Sequence, residues 1–403
     1  MKIRLTTYNL LLACSFLALA FLLTHYLFVG ITTLPSEGDS INIHIPIAQR
    51  ILSGKILLPL NHNIDSMYPA ASELILALFI GLHFSLNLYN VLAIVLLFFT
   101  LVALGRTFTL SKPMSIFFAI SITTLYGVLR YVDTQKIDVW MLVFYALSLL
   151  LLKKSKKGIR DFFLLGITLG MVIGSKYSGP FYAIILLCFY LKDLVKQLNV
   201  YKFFIFFIPL CILGATWYIR NYSNFGNPFY PQPFLFFTGD PHALYYAWPY
   251  WKVALMFPQL VVNAFISEYM IWVVTLVILP IVLFGNVLFK KFPEINSEKR
   301  ILFLGIINFI FFIFLPSAPA HDYTAIVYGI RYSFPAFLVL QLSLFCIAKK
   351  YNLDKLLAIV VFTNLIFLLL PVNYHAKLLF LFVPIITILI LFTFRYFKIV
   401  EDK

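Results

Sequence analysis

The sequence predicts an all-α fold, a polytopic transmembrane helical bundle. The first observation behind this is composition: 62% of the 403 residues are hydrophobic, 12% are charged and the mean hydropathy is +0.95. A water-soluble domain carries about 25% charged residues. The second is that apolar runs approaching the ~20 residues needed to cross a hydrocarbon core recur from residue 10 to residue 394. Helices of that length satisfy their own backbone groups, which lipid cannot do for them.

The third observation is where the charges fall. Lys and Arg outnumber Asp and Glu by 31 to 16, which in a soluble protein would raise the question of nucleic acid. Here the basic residues stand mostly between apolar runs, where they set orientation. The four cysteines, Cys14, Cys188, Cys211 and Cys346, lie inside apolar runs with no paired spacing. They read as small core residues rather than disulfides or metal ligands. Lys2 and Arg4 precede an apolar run over 9–30 that is longer than a signal core and lacks a clear small-residue cleavage site, so a retained first helix is expected.

Basic clusters then fix the topology. They are Lys2 and Arg4; Arg106 and Lys112; Lys153, Lys154, Lys156, Lys157 and Arg160; Lys192, Lys196 and Lys202; Lys290, Lys291, Lys299 and Arg300; Lys349, Lys350 and Lys355; and Arg395, Lys398 and Lys403. If all are cytoplasmic, an even number of crossings separates each from the next. Between Arg4 and Arg106 stand three apolar runs, 10–30, 70–84 and 88–105. The middle one is shortest, follows Tyr68-Pro69 and contains Glu73, so it is expected to lie on or dip into the outer leaflet.

The remaining runs, 10–30, 88–105, 113–130, 138–152, 161–175, 178–191, 203–218, 266–289, 301–316, 331–348, 355–371 and 378–394, give about twelve crossings with both termini cytoplasmic. The expected organisation is one transmembrane domain over 1–403, with a first outer loop at 31–87 holding interfacial helices and a second long outer loop at 220–265. Both loops are rich in Pro, Tyr, Asn and Asp, which suits turns and interfacial helices rather than disordered linkers. No internal repeat or low-complexity tract interrupts the chain.

On this topology the outer face collects candidate functional residues, since ionisable groups near the bilayer are costly unless paired, solvated or used. The first loop opens Ser36-Glu37-Gly38-Asp39-Ser40 and continues through His44-Ile45-Pro46. Glu37 or Asp39 could take a proton from an acceptor hydroxyl, or could be a helix cap or solvated loop acid. The turn Arg130-Tyr131-Val132-Asp133-Thr134-Gln135-Lys136-Ile137-Asp138 holds two acids and two bases that could neutralise one another. Asp138 is the more informative of its acids because it begins a helix.

Gly174-Ser175-Lys176-Tyr177 is a tight outer connection whose lysine could hold a phosphate or only snorkel. Arg220-Asn221, followed by Gly226-Asn227-Pro228-Phe229-Tyr230-Pro231, combines a span-terminal arginine with an aromatic turn; it fits a phosphate fork or an interfacial belt. Arg331-Tyr332, after His321-Asp322-Tyr323, is a further anion-binding candidate. The seven histidines form no helical metal pair; Mg²⁺ or Mn²⁺ on the outer acids stays open. No Walker, Rossmann or serine-hydrolase motif stands in a fitting context.

Taken in order, these pieces resemble the GT-C superfamily of integral membrane glycosyltransferases, in the branch of the protein O-mannosyltransferases and lipid A aminoarabinose transferases (glycosyltransferase family 39-like). The resemblance rests on Asp39 with His44-Ile45-Pro46, Tyr68-Pro69, Gln135 with Asp138, Gly174-Ser175-Lys176-Tyr177, Arg220-Asn221 with Gly226 through Pro231, and Arg331-Tyr332 with Pro335. It implies transfer of a sugar from a polyprenyl-phosphate carrier to a lipid, glycan or protein acceptor on the outer face of a bacterial inner membrane, with no metal required. Asp39 would be the base or acceptor-orienting acid, and Lys176, Arg220 and Arg331 would stabilise the phosphate leaving group. Glu37, His44, Asp138, Tyr177, Asn221 and Tyr230 would complete the substrate site. Two departures stand out: the loop acids Glu37 and Asp39 are split by Gly38, and little chain follows the last run for an added acceptor domain.

Two other readings predict different sequences. A transporter or flippase for a lipid-linked sugar would carry paired broken helices and ionisable groups at mid-membrane depth, whereas here those groups stay near run ends. A polysaccharide polymerase or ligase would place its long outer loops late, whereas the longest here is the first.

Overall fold

A computed structural model describes residues 7–58, 67–240, 248–288, 296–318 and 323–369. The expected crossing at 378–394, with Asp65, His321 and Asp322, lies outside them. The chain is helical almost throughout. In order come α1 (Thr7–Thr32), a π-helical turn (Ser40–His44) running into α2 (Ile45–Leu52), α3 (Glu73–Gly81), α4 (Tyr89–Thr107), α5 (Lys112–Thr123), α6 (Tyr126–Leu129), α7 (Asp138–Lys153), α8 (Ile159–Ser175) and α9 (Gly179–Val195). Then follow α10 (Val200–Leu210), a π turn (Cys211–Ala215), α11 (Thr216–Phe225), β1 (Trp248–Pro249), α12 (Tyr250–Met256), α13 (Pro258–Tyr269), α14 (Val274–Leu288), α15 (Asn296–Phe314), β2 (Pro316–Ala318), α16 (Tyr323–Gly329), α17 (Phe334–Lys350) and α18 (Asp354–Leu369). β1 and β2 pair antiparallel, Trp248 opposite Ala318, as a small clip between loops.

The protein is an all-α membrane protein. Five helical stretches, Asn9–Thr32, Leu86–Thr107, Val200–Phe225, Pro258–Val282 and Ile326–Lys350, are long and apolar enough to cross a bilayer. They differ in what they face. From Phe334 to Ala348 every residue of α17 is buried, the mark of a helix surrounded by others. On the periphery α1 exposes Leu17, Phe21 and Phe28, which in lipid costs nothing.

Inside the bundle, small and polar residues set the contacts. Gly166, Gly170 and Gly174 form one stripe on α8 facing α10, its π turn and α11. A Cβ on Gly166 would fall 2.2 Å from the Phe206 carbonyl oxygen, and one on Gly174 would fall 2.1 Å from that of Leu213. Backbones this close need the missing side chain, and the contact fixes the end of α8, where Lys176 follows. Interhelical hydrogen bonds add specificity, with Thr275 donating to Gln341 (2.6 Å) and Asn308 to Tyr145 (2.6 Å). At helix ends, Asn199 accepts from the Lys202 amide (2.9 Å), and Gly226, left-handed at φ 67°, closes α11.

The structure redraws two of the expected spans and details two further segments. The run 113–130 is not one helix: Leu125 is extended (φ −60°, ψ 135°), which separates α5 from the single turn of α6. The segment expected as the second outer loop, 220–265, contains the end of α11, all of α12 and the start of α13. Helix α13 begins at Pro258 and breaks at Met270, whose φ is +50°. The run over 70–84 yields only the nine residues of α3, about 14 Å at 1.5 Å per residue and under half a hydrocarbon core.

Candidate active site

The first outer loop supplies the acids. Glu37 is held by Ser40, whose amide and hydroxyl both donate to it at 2.8 Å. The Ser40 hydroxyl in turn accepts from the Gln135 amide at 2.9 Å, which staples this loop to the turn ahead of α7. Through that staple Lys136 reaches both acids, at 3.0 Å from Glu37 and 2.8 Å from Asp39. The Lys136 ammonium also lies 5.0 Å from the Tyr328 ring centre, within range of its negative π face. Burial pushes the Asp39 carboxyl up, but the hydrogen bond and charge of Lys136 outweigh it and hold the group below the usual range; Glu37 is lowered against its burial in the same way by Ser40 and Lys136. Both are therefore carboxylates at neutral pH.

The second acid, Asp138, sits in the first turn of α7, where the helix N-terminus favours negative charge. It pairs with Lys176, which leaves α8 in an extended conformation, and stands 3.7 Å from Arg331. Lys176 lies 4.4 Å over the Tyr332 ring. The Arg331 Nε makes no hydrogen bond among the described residues. His44 and Glu73 meet at 2.9 Å, joining the π turn to α3.

Asp39, His44, Glu73, Asp138, Lys176, Tyr177, Arg331 and Tyr332 all line one cavity of about 590 Å³, whose other walls are aromatic and aliphatic. Phe181 stacks on Phe311 at 5.0 Å and Phe229 meets Phe234 at 4.2 Å, making a continuous apolar surface with Phe314 and Leu315. Around the cavity, two cations, Lys176 and Arg331, share the single carboxylate of Asp138, while two carboxylates, Glu37 and Asp39, share the single cation of Lys136. One part of the site is thus short of negative charge, the other short of positive charge, and both adjoin a greasy wall. Such a cavity can bind an anion attached to a lipid and accept a proton beside it.

Not every expected residue faces this cavity. Glu37 stands behind Asp39 and touches Lys136 and Ser40. Arg220 turns away: it donates to the carbonyls of Met67 (2.6 Å), Tyr68 (3.3 Å) and Ile56 (3.4 Å), and to Asn221 (3.0 Å). Asn221 donates to Met67 (2.9 Å), Tyr230 (3.1 Å) and the Tyr177 hydroxyl (2.8 Å). The Tyr230 hydroxyl donates to Asp240 at 3.0 Å and its ring stacks on Phe225 at 4.0 Å. Buried loop carbonyls need donors, and Arg220 and Asn221 supply them, so these residues clamp the Tyr68-Pro69 wall from behind.

Lys136, Glu73, Arg130 and Glu268 stand in the sequence as ionisable groups of the outer face without a site role, and the structure adds their partners, Arg130 meeting Glu268 at 2.9 Å. The sequence reading allowed that the charges of 130–138 neutralise one another. Instead Arg130, Lys136 and Asp138 each take a partner from a different part of the chain. No local spacing signals such pairings. Among the described residues no group of three or more His, Cys, Asp or Glu side chains is placed to hold a metal ion.

No family model and no curated protein matches the sequence. Solved structures do. The chain superposes on ArnT from Cupriavidus metallidurans, in a structure bound to undecaprenyl phosphate, with a TM-score of 0.56 and 13% identity over 94% of this chain and 74% of that one. A second similar structure is the arabinofuranosyltransferase AftD from mycobacteria, at TM-score 0.48 and 14% identity over 89% of this chain and 26% of that one. The likeness is one of fold: the helices of this chain follow the arrangement of ArnT.

Proposed function

We propose that this protein transfers a sugar from a polyprenyl-phosphate-linked donor to an acceptor hydroxyl or amine at the outer face of a bacterial inner membrane. The observation that carries the reading is the cavity that brings a cation pair, an exposed carboxylate and an aromatic wall together. The donor phosphate sits against Lys176 and Arg331, whose shared carboxylate leaves positive charge unmatched, and the prenyl chain lies along Phe181, Phe229, Phe311 and Phe314. Asp39 takes the proton of the acceptor as its oxygen or nitrogen bonds to the anomeric carbon. The bond from that carbon to the phosphate oxygen breaks, and Lys176 and Arg331 stabilise the charge that develops on the leaving group. Every step uses residues of the chain, so transfer is expected to survive EDTA.

The proposal includes a membrane arrangement for this site. The reading takes about twelve crossings with both termini cytoplasmic, an arrangement in which the residues above would lie on the outer side. Helix α3, too short to cross and with Glu73 turned inward onto His44, then lies in the interface as part of the first outer loop. One domain over 1–403, with loops at 31–87 and 220–265, accommodates all of these parts.

The test is transfer in lipid nanodiscs from a radiolabelled polyprenyl-phosphate sugar to a panel of lipid, glycan and peptide acceptors, comparing the unaltered protein with Asp39→Asn. Product from the former and a large loss in the latter would support the reading. Equal transfer by both would remove Asp39 from the chemistry, and uptake of donor without product would favour a transporter.

A further inference from the structure

The second outer loop contains a turn with no place in the chemistry above. Phe234 and Phe237 face each other as an isolated antiparallel bridge, with amide-to-carbonyl bonds of 2.9 and 3.2 Å. Leu235 and Phe236 form its tip, 82% and 81% exposed, the former at a φ of +52°. A leucine in that left-handed region is disfavoured by its own Cβ. The turn nevertheless holds this shape on a tied base. The Asn227 side chain donates to the carbonyls of Gln232 (2.9 Å) and Thr238 (3.0 Å), and the Asp240 amide donates to Pro231 (2.8 Å).

A tied loop presenting two large apolar side chains outward needs something apolar against them, and two contacts say what that is. The Phe237 ring meets Tyr222 at 6.3 Å, and Tyr222 lies near the end of the stretch Val200–Phe225, which is long and apolar enough to cross the bilayer. On the same helix Ile219 and Tyr222 are exposed as well. The tip therefore lies beside the end of a helix long and apolar enough to cross the bilayer, next to exposed apolar side chains of that helix. On its other side, Phe234 of the same turn lines the cavity next to Phe229.

We propose that the Phe234–Phe237 turn is a wedge inserted into the outer leaflet, and that it forms the lip over which the lipid chain of the donor passes between bilayer and cavity. The wedge itself follows from position and exposure; its part in donor access rests on the function proposed above. Two large apolar residues immersed in the interface hold the loop against the lipid, and the inner face of the turn continues the same apolar surface into the site.

The test separates the two. In protein whose native cysteines are replaced by serine, an environment-sensitive fluorophore is attached at Phe236→Cys, at Ile212→Cys within the membrane helix, or at Ser36→Cys in the first loop, and each is reconstituted in phosphatidylcholine nanodiscs. Nitroxides on the acyl chains should quench the label at 236 within about twofold of that at 212, and aqueous iodide should reach it several-fold less than that at 36. Iodide access at 236 equal to that at 36 would overturn the wedge. For the lip, Leu235→Asp with Phe236→Asp should raise KM about tenfold for a long-chain donor and leave it unchanged for a short-chain, water-soluble one. An equal effect on both donors would overturn it. Absence of transfer by the unaltered protein would sink the proposed function and leave the quenching result standing.

Discussion

Asp39 and Asp138 are both aspartates beside a lysine on one cavity, yet they are built differently. The Asp39 side chain is 45% exposed and shares Lys136 with Glu37, whereas Asp138 is 5% exposed and is shared by Lys176 and Arg331. Exposure leaves Asp39 able to meet an incoming acceptor and pass its proton to water. Burial commits Asp138 to holding two cations that would otherwise repel each other across a few ångströms. On the function proposed above, the same residue type would act as a reactive group at one place and as a positioning group at the other, according to which partner is in excess.

Substitutions test that contrast. The largest effect is expected from Asp39→Asn, a loss of about 10²- to 10⁴-fold in kcat with little change in thermal stability. A fall in Tm matching that of Asp138→Asn would break the distinction. Lys176→Met should lower kcat/KM by about 10²- to 10³-fold, as loss of one group stabilising a developing anion does. If its effect fell wholly on acceptor KM, Lys176 would not face the leaving group.

Next comes Asp138→Asn, which leaves Lys176 and Arg331 without their carboxylate. A loss of roughly 3 kcal/mol in stability, the scale for breaking a buried pair, should appear as a lower denaturation midpoint in detergent. Because one cation can relax toward solvent or substrate, donor binding should weaken less than stability.

The smallest effect is a shift in pH dependence. Glu37 and Asp39 are both depressed in the folded protein. Their contribution to stability is therefore present above the unfolded values, about 4.3 and 3.9, and is lost as pH falls through the lower folded values. Transfer and Tm should both be flat on the acid side down to about pH 5. Lys136→Met removes the main opposing charge and leaves burial against only the weaker pull of Arg331 and His44, so the acid limb of kcat/KM should move up in pH. An unmoved limb would show that Lys136 does not set the charge of Asp39.

Legibility in the sequence followed sequence distance. Helix positions were readable because apolar length is local, and α4, α7, α8, α9 and α17 fall close to the expected runs. Asp39, Asp138, Lys176 and Arg331 were readable as ionisable groups at run ends and do share a cavity. Arg220 looked identical by that criterion. Only the carbonyls of Met67, Tyr68 and Ile56, over 150 positions away in the chain, turn it from the cavity into a clamp.

What the sequence determined alone was therefore the solvent, the helical class and the candidate charges: hydropathy and basic clusters act over one helix length, and the bilayer selects on that scale. Which charge meets which was decided by tertiary structure. Lys136 lies two positions from Asp138, yet it pairs with Glu37 and Asp39, about a hundred residues earlier, because the contact of the Gln135 amide with Ser40 brings that loop to it. A Coulomb interaction depends on distance in space and on burial, and neither is written in residue spacing.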